Sequence, residues 1–353
     1  MEGNYIYGIV ASHNGAGLTH LDIPGIDGQG LTFLCARRDI ACLASHYSGP
    51  EFSSLPREQV LHCLLSHQAV MEHAMNEGPV LPAKFGTVLS ASSELYQLLE
   101  QGRPLFQEAL NRLQYVVEME VVATWDLQQV LREIGSQSDI VAARETIARE
   151  PGAGLEARLR LGQMVKASLD RRRTQFCEVI VGCLRPLAVD LQPNALASDE
   201  MVMNVAFLIE RVRQAELESC LRQLDSHFQD QLKFRGIGPL PPYSFATVEV
   251  SKPDGEKLTA ARHLLGLVET CSEAEVRRAY RHLAAQSHPD RQTSSEPPQV
   301  ELTQLRRAAD LLIAQCRGRM GDDSFLIAIK RRRLDEVPFL RFAETEMAGA
   351  PHG

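Results

Sequence analysis

Several things are missing from this chain of 353 residues. No run of about 18 apolar residues occurs, the length that a membrane-crossing helix needs, so no membrane span is expected. Its eight cysteines (Cys35, Cys42, Cys63, Cys177, Cys183, Cys220, Cys271 and Cys316) include no Cys-x-x-Cys pair. Structural zinc asks for clustered ligand pairs, so no metal is expected. Positive charge is not in excess: 37 Lys and Arg stand against 45 Asp and Glu, giving a net charge of −8. That balance, with a pI near 5.8, argues against a nucleic-acid partner. The signatures of catalysis are absent too. There is no Gly-x-Ser-x-Gly elbow, no phosphate loop ending in Gly-Lys-Ser/Thr and no dinucleotide fingerprint, since Gly25, Gly28 and Gly30 are wrongly spaced for a cofactor loop. The chain reads as a non-enzyme without a cofactor.

What is present is ordinary globular protein, 44% hydrophobic and 23% charged. The length allows two or three domains with real cores. The opening Met1-Glu2-Gly3-Asn4 lacks a basic region followed by an apolar core, so no secretory signal is expected. The cysteines then read as reduced, mostly buried small hydrophobes of a cytoplasmic protein.

Along the chain, strands are expected near Tyr5–Ala11 and Leu31–Ala36, joined by a glycine-rich connection. A helix is expected over Pro56–Asn76, with Ser54 as its cap and Val60, Leu64, His67, Met71 and Ala74 on its inner face. Leu81–Leu89 reads as extended. Helices follow through Leu95–Leu99 and over Pro104–Leu113, and Tyr115–Trp125 alternates as a strand closing this first unit. The next unit has helical spacing over Leu127–Glu133, Val141–Ala148 and Leu155–Cys183, a strand at Met201–Ile209, a helix over Arg211–Gln229, and strands near Leu232–Ile237 and Ser244–Val250. This order suggests a split, ferredoxin-like α+β sandwich.

One segment is unusual. In Arg235-Gly-Ile-Gly-Pro-Leu-Pro-Pro-Tyr-Ser-Phe-Ala-Thr-Val-Glu-Val, Gly236 and Gly238 open backbone angles closed to other residues, while Pro239, Pro241 and Pro242 fix φ and remove amide donors. The result is a stiff corner, excluded from the interior of a sheet, that delivers an aromatic-rich strand. With Val80-Leu-Pro-Ala-Lys-Phe-Gly-Thr-Val88, Tyr5-Ile-Tyr-Gly-Ile-Val10 and Asn204-Val-Ala-Phe-Leu-Ile-Glu-Arg211, it resembles the gas vesicle protein L/F family over roughly the first 250 residues. That resemblance implies two α+β domains and an accessory or minor shell-associated role in building gas vesicles. It also implies contacts with the main vesicle shell protein and other accessory proteins, location at the vesicle, and no enzymatic activity. Phe85 and Phe245 are expected to pack rather than to make contacts.

Ser251-Lys-Pro-Asp-Gly255 is linker chemistry. Beyond it, Ala261–Leu267 reads as a short leucine-rich helix. Ser272 and Glu275 form a capping box for a second helix, with Val276, Tyr280 and Leu283 on one face and Arg277, Arg278 and Arg281 elsewhere. Pro289 ends that helix, and a last helix presents Leu302, Leu305, Ala308 or Ala309, and Leu312. The whole resembles a DnaJ-type J-domain. By that resemblance His288, Pro289 and Asp290 engage a DnaK-type ATPase chaperone, and Arg277, Arg278 and Arg281 form the electropositive contact. The third helix departs from the J pattern, which has a phenylalanine and an Ala-Tyr pair where Leu302 and Ala308-Ala309 stand here. A general J-domain cochaperone with a client-binding N-terminal region is the alternative.

The expected divisions are therefore 1–125 and 126–252 (both α+β, the second ferredoxin-like), a helical J-like module at 256–318, and a tail at 319–353. His62, His67 and His73 share one helix but lack the His-x-x-x-His spacing with an intervening glutamate that zinc helices use, so they read as ordinary half-buried histidines. Arg171-Arg172-Arg173 reads as a solvated helix face. Lys330-Arg331-Arg332-Arg333 follows a short strand at Phe325–Ile329.

Overall fold

The computed structural model describes residues 2–12, 17–28, 30–149, 154–251, 255–268, 271–286, 302–314, 316 and 325–331. The chain divides into two compact units: Met1–Arg112 with Thr247–Lys330, and Leu113–Ala246 with Arg331–Gly353.

The first unit begins with β1 (Gly3–Ala11), β2 (Gly17–Pro24), β3 (Leu31–Arg37) and β4 (Ile40–Tyr47), followed by α1 (Arg57–Glu77), β5 (Val80–Pro82), β6 (Val88–Leu89) and α2 (Ser92–Leu113). Its sheet runs β2-β3-β4-β1-β5, with β6 also paired to β1. Aromatic and β-branched residues suit β1 to this inner place, and it is buried along nearly its whole length. The supposed glycine-rich connection is in part the edge strand β2, whose side chains are mostly exposed and so leave no alternation to read. β4, rich in alanine and serine, also carries no alternation, because it is almost wholly buried.

α1 shows a rotated face. Cys63, His67, Val70, Met71 and Met75 point inward, while Leu64 is exposed. Its N-cap is Pro56. Ser54 instead donates its hydroxyl to the carbonyl of Glu51 at 2.8 Å. Gly8 lets β1 pass close under α1, since a Cβ there would lie 2.7 Å from the Leu81 carbonyl oxygen and 2.8 Å from Met71 Cε. The two helices read around Pro104 are one, α2. Burial of Leu95, Leu98, Leu99, Phe106 and Leu110 outweighs the hydrogen bond that Pro104 cannot make.

The second unit holds β7 (Val116–Thr124), α3 (Leu127–Gly135), α4 (Ser138–Arg149), α5 (Leu155–Leu184), β8 (Ala188–Pro193), β9 (Met201–Glu210), α6 (Gln214–Phe228) and β10 (Lys233–Leu240). The sheet order is β10-β7-β9-β8 with every neighbour antiparallel. With the βαββαβ chain order, this is the ferredoxin-like arrangement. Its membership differs from the sequence reading. β7, read as the closing strand of the first unit, is an inner strand here, paired with β9 from Val116↔Glu210 to Thr124↔Met201. β8 was not foreseen, and the strand after the proline corner joins another sheet. Alternation announces a strand, but the need of the doubly buried β7 for a partner on each side decides where it goes.

The remaining elements are β11 (Thr247–Ser251), α7 (Gly255–Leu265), α8 (Glu273–Gln286), α9 (Leu302–Ala314) and β12 (Leu326–Lys330). β11 and β12 pair antiparallel from Thr247↔Lys330 to Ser251↔Leu326, so the helical module lies between two paired strands. β12 lies inside the segment read as a tail. The pair is joined to the first unit by the Lys84 amide, which donates to the Val248 carbonyl at 2.8 Å, and by the Phe325 amide, which donates to Gln101 Oε1 at 2.9 Å. The Glu249 carboxylate sits between Lys84 and Lys330.

Candidate functional site

Three helices build the C-terminal module around Leu258, Ala261, Leu265, Val276, Leu305, Ala308, Ala309 and Leu312. Tyr280 and Leu283 pack against this core from α8, as their spacing predicts. Alanine at 308 and 309 leaves room for α9 to approach its neighbours, and both are buried. The capping box at the start of α8 is formed. The Ser272 amide and hydroxyl donate to Glu275 Oε2 at 2.7 and 2.8 Å, and the Glu275 amide returns to Ser272 Oγ at 3.4 Å. The Ser272 amide holds the Glu275 carboxyl below the usual carboxylate range.

With Val276 fixed in the core, the three predicted arginines are exposed. Arg277 is braced by an ion pair with Glu273 at 2.8 Å, and Arg281 Nε donates to the Arg277 carbonyl at 3.2 Å. Arg277 and Arg281 line a cleft of about 470 Å³ together with Tyr280, Arg306, Ala309, Asp310 and Ile313. Arg306 was missed by the sequence reading. Its signal was its place on α9 one residue after the buried Leu305, which turns it toward the rim. The cleft therefore offers three guanidinium groups around an apolar wall, a surface suited to an acidic partner with an apolar side chain. His288, Pro289 and Asp290 lie outside the described residues.

The proline corner is anchored within the second unit. β10 is an edge strand, as its proline and glycines require. Gly238 has φ +139°, and a Cβ there would meet Met119 Sδ at 2.7 Å and the Glu118 carbonyl oxygen at 2.9 Å, so glycine is obligatory. The backbone then turns through Pro241 and Pro242, both buried, to Ser244, whose amide and hydroxyl donate to the Glu118 carboxylate at 2.9 and 2.7 Å. Glu118 is 5% exposed. Phe245 is half-buried, with the Arg331 guanidinium 6.0 Å from its ring centre. Arg331 also donates to Asp190 Oδ1 at 2.7 Å and Gln192 Oε1 at 2.9 Å.

The other signature segment belongs to an aromatic cluster of the first unit. Phe85 lies 5.0 Å from Phe52 and 6.1 Å from His67 between ring centres, and Tyr5 OH is 2.7 Å from His67 Nδ1. Burial pushes the His67 imidazole down to about 4. Of the three histidines on α1, His67 is thus a packed core residue. No group of three or more His, Cys, Asp or Glu able to hold a metal ion occurs among the described residues.

Two readings need correction. Arg173, expected on a solvated helix face, is 4% exposed. Its guanidinium lies 5.3 Å from the Trp125 ring centre and donates to the carbonyls of Met201 and Asp199, both at 3.1 Å. Buried backbone acceptors and an aromatic face replace water around it. The cysteines, read as mostly buried, are buried at only four positions, 35, 42, 63 and 177.

Comparison with known proteins finds matches for two stretches of the chain. Residues 263–318 match the DnaJ domain. Residues 3–247 match the family described as gas vesicle synthesis protein GvpL/GvpF. Gas vesicle protein F of a Streptomyces species is 30% identical over 186 residues, covering 52% of this chain and 76% of that protein. Gas vesicle protein F of Haloferax mediterranei is 20% identical over 70% of this chain and 94% of its own length. The crystal structure of GvpF from Anabaena superposes with a TM-score of 0.59 at 24% identity, over 69% of this chain and 98% of that one, a likeness of fold. A match spanning the two α+β units from the first strand to the proline corner places the chain in the GvpL/GvpF family of gas vesicle synthesis proteins.

Proposed function

We infer that the chain is a gas vesicle assembly protein that holds the small, apolar main shell protein among the other accessory proteins, and that its J-like module brings a DnaK-type ATPase chaperone to the same place. The observation that carries this reading is the union in one chain of a GvpL/GvpF region with a DnaJ-matching module whose three basic side chains stand exposed on α8. Arg277, Arg278 and Arg281 would steer and seat the ATPase, with His288, Pro289 and Asp290 completing the contact. Holding an aggregation-prone subunit calls for exposed apolar surface. The first unit has such a strip on α1, where Leu61, Leu64 and Leu65 are 56%, 41% and 58% exposed. Leu61 stands one turn before the adjacent Leu64 and Leu65 on one side of the helix, and these three are the contact we assign to the shell protein.

Expression of His288→Gln with the remaining vesicle machinery tests the coupling. A fall in buoyant vesicles with normal protein levels is the expected result, and unchanged yields would overturn it. A purified full chain that stimulates a DnaK-type ATPase but shows no preference for shell subunits over other unfolded proteins would point instead to a general cochaperone.

A further inference from the structure

Six of the eight cysteines, scattered in sequence, are brought together by the fold in three pairs. Cys35 and Cys42 face each other across β3 and β4, but both are fully buried, out of reach of an oxidant. Cys183, on α5, and Cys220, on α6, are looser, with Cys220 Sγ 3.7 Å from the Cys183 carbonyl oxygen. Cys271 and Cys316 differ from both. They are 45 residues apart, one just before the capping box of α8 and the other just past α9, and Cys316 Sγ donates to the Cys271 carbonyl at 2.9 Å. Both are half-buried, packed on the edge of the module core yet open to small solutes. Burial and the Cys271 side chain, which is also hydrogen-bonded to Cys316, raise the Cys316 thiol.

We propose that Cys271 and Cys316 are a site of reversible oxidative modification, a dithiol that a hydroperoxide converts to a disulfide stapling the start of α8 to the end of α9. Cys316, holding its proton on the Cys271 carbonyl, is the resolving thiol, and Cys271 attacks first. The Cys271 thiolate takes one peroxide oxygen, the O–O bond breaks, and with one proton the other oxygen leaves as water or alcohol. The Cys271 sulfenic acid is left. The Cys316 sulfur then attacks that sulfur. The S–S bond forms, the S–O bond breaks, and the hydroxyl departs with the Cys316 proton as water. Two thiols lose two electrons and two protons, and the peroxide is reduced to two waters or a water and an alcohol. The staple closes a loop that contains α8 and α9, so the oxidised module is harder to unfold. This holds whatever the module binds.

The full chain, treated with dilute hydrogen peroxide and mapped by mass spectrometry without reduction, should yield a peptide linked through Cys271 and Cys316 before any other cross-link. Hydrogen exchange in α8 should slow severalfold, and a thiol reductant should restore both the mass and the exchange rate. In Cys316→Ser the cross-link should vanish and a sulfenic-acid trap should label Cys271. In Cys271→Ser neither should appear. Serine is a near-isostere, and unchanged circular dichroism keeps the comparison valid. Independent over-oxidation of both thiols, a cross-link confined to Cys183 and Cys220, or a linked peptide with unaltered α8 exchange would overturn the proposal.

Discussion

Ser244 gives both its amide and its hydroxyl to one carboxylate, that of Glu118 on β7, from 126 residues away in sequence. A charge taken out of water needs donors, and the turn after Pro242 supplies two of them. The family signature at the proline corner is therefore a lid over a buried acid. Glu118→Ala should cost about 3 kcal/mol, because hydrogen bonds to a charged group are worth ~1.5–3 kcal/mol each and the loss is partly offset by removing the charge. Ser244→Ala, which keeps the amide contact, should cost about half of that. Urea unfolding of each variant measures the difference.

The histidine at the centre of the aromatic cluster sets an acid limit. His67 titrates near 4 in the folded chain and near 6.5 in the unfolded one, so the unfolded state binds its proton first as pH falls. Its contribution to stability is complete above pH 6.5, declines as pH drops from 6.5 to 4, and is flat below. The total for a shift of that size is about 3 kcal/mol. Unfolding midpoints measured across this window should fall with pH in the native chain. The slope should lessen in His67→Gln, whose side chain does not titrate.

Reversal of the basic face tests the proposed chaperone contact apart from folding. Arg277→Glu with Arg281→Glu leaves Val276, Tyr280 and Leu283 in place, so helicity should persist. Apparent affinity for a DnaK-type ATPase should drop at least tenfold, as expected on losing ~1.4 kcal/mol or more of charge complementarity. Added salt should weaken the native contact and leave the variant nearly unchanged.

On α1, Leu61→Glu with Leu65→Glu removes exposed apolar surface and no core contact. The melting temperature should stay within about a degree, since exposed substitutions away from special features fall within ~0.5 kcal/mol. Capture of the shell protein by the full chain should fall severalfold. Unaltered capture would place the contact elsewhere.

The sequence was most informative where side chains report on their own surroundings. The capping box, the Val276-Tyr280-Leu283 face and the strand character of Val116–Thr124 were all legible because each depends on residues within a turn or two. Partnership was not. Nothing local to Val117 or Met119 says that the strand pairs with β9 rather than closing the first unit. β8 alternates only over Val189-Asp190-Leu191-Gln192 before Pro193, a short run whose burial does not follow the pattern, since Val189 is exposed and Gln192 is buried.

The buried arginine was hidden for a similar reason: Arg173 sits in a run of three like residues, and only the fold brings Trp125 and the carbonyls of Asp199 and Met201 around it. Arg306 and the thiol neighbours Cys271 and Cys316 likewise meet their partners only through packing of α8 and α9.

The pairing of β11 with β12 has a consequence for how the helical module is carried. A module on a free C-terminal tail is held at one point and sweeps a wide volume. Here both of its ends emerge side by side from one two-stranded ribbon, as a guest sequence does when spliced into a host hairpin. The ribbon is complete without the helices, so replacing residues 252–324 by a short Asn-Gly turn, with the buried Phe325 kept as its anchor, should leave the host foldable. The module, in turn, is a cassette that other carriers with two neighbouring antiparallel strands could accept.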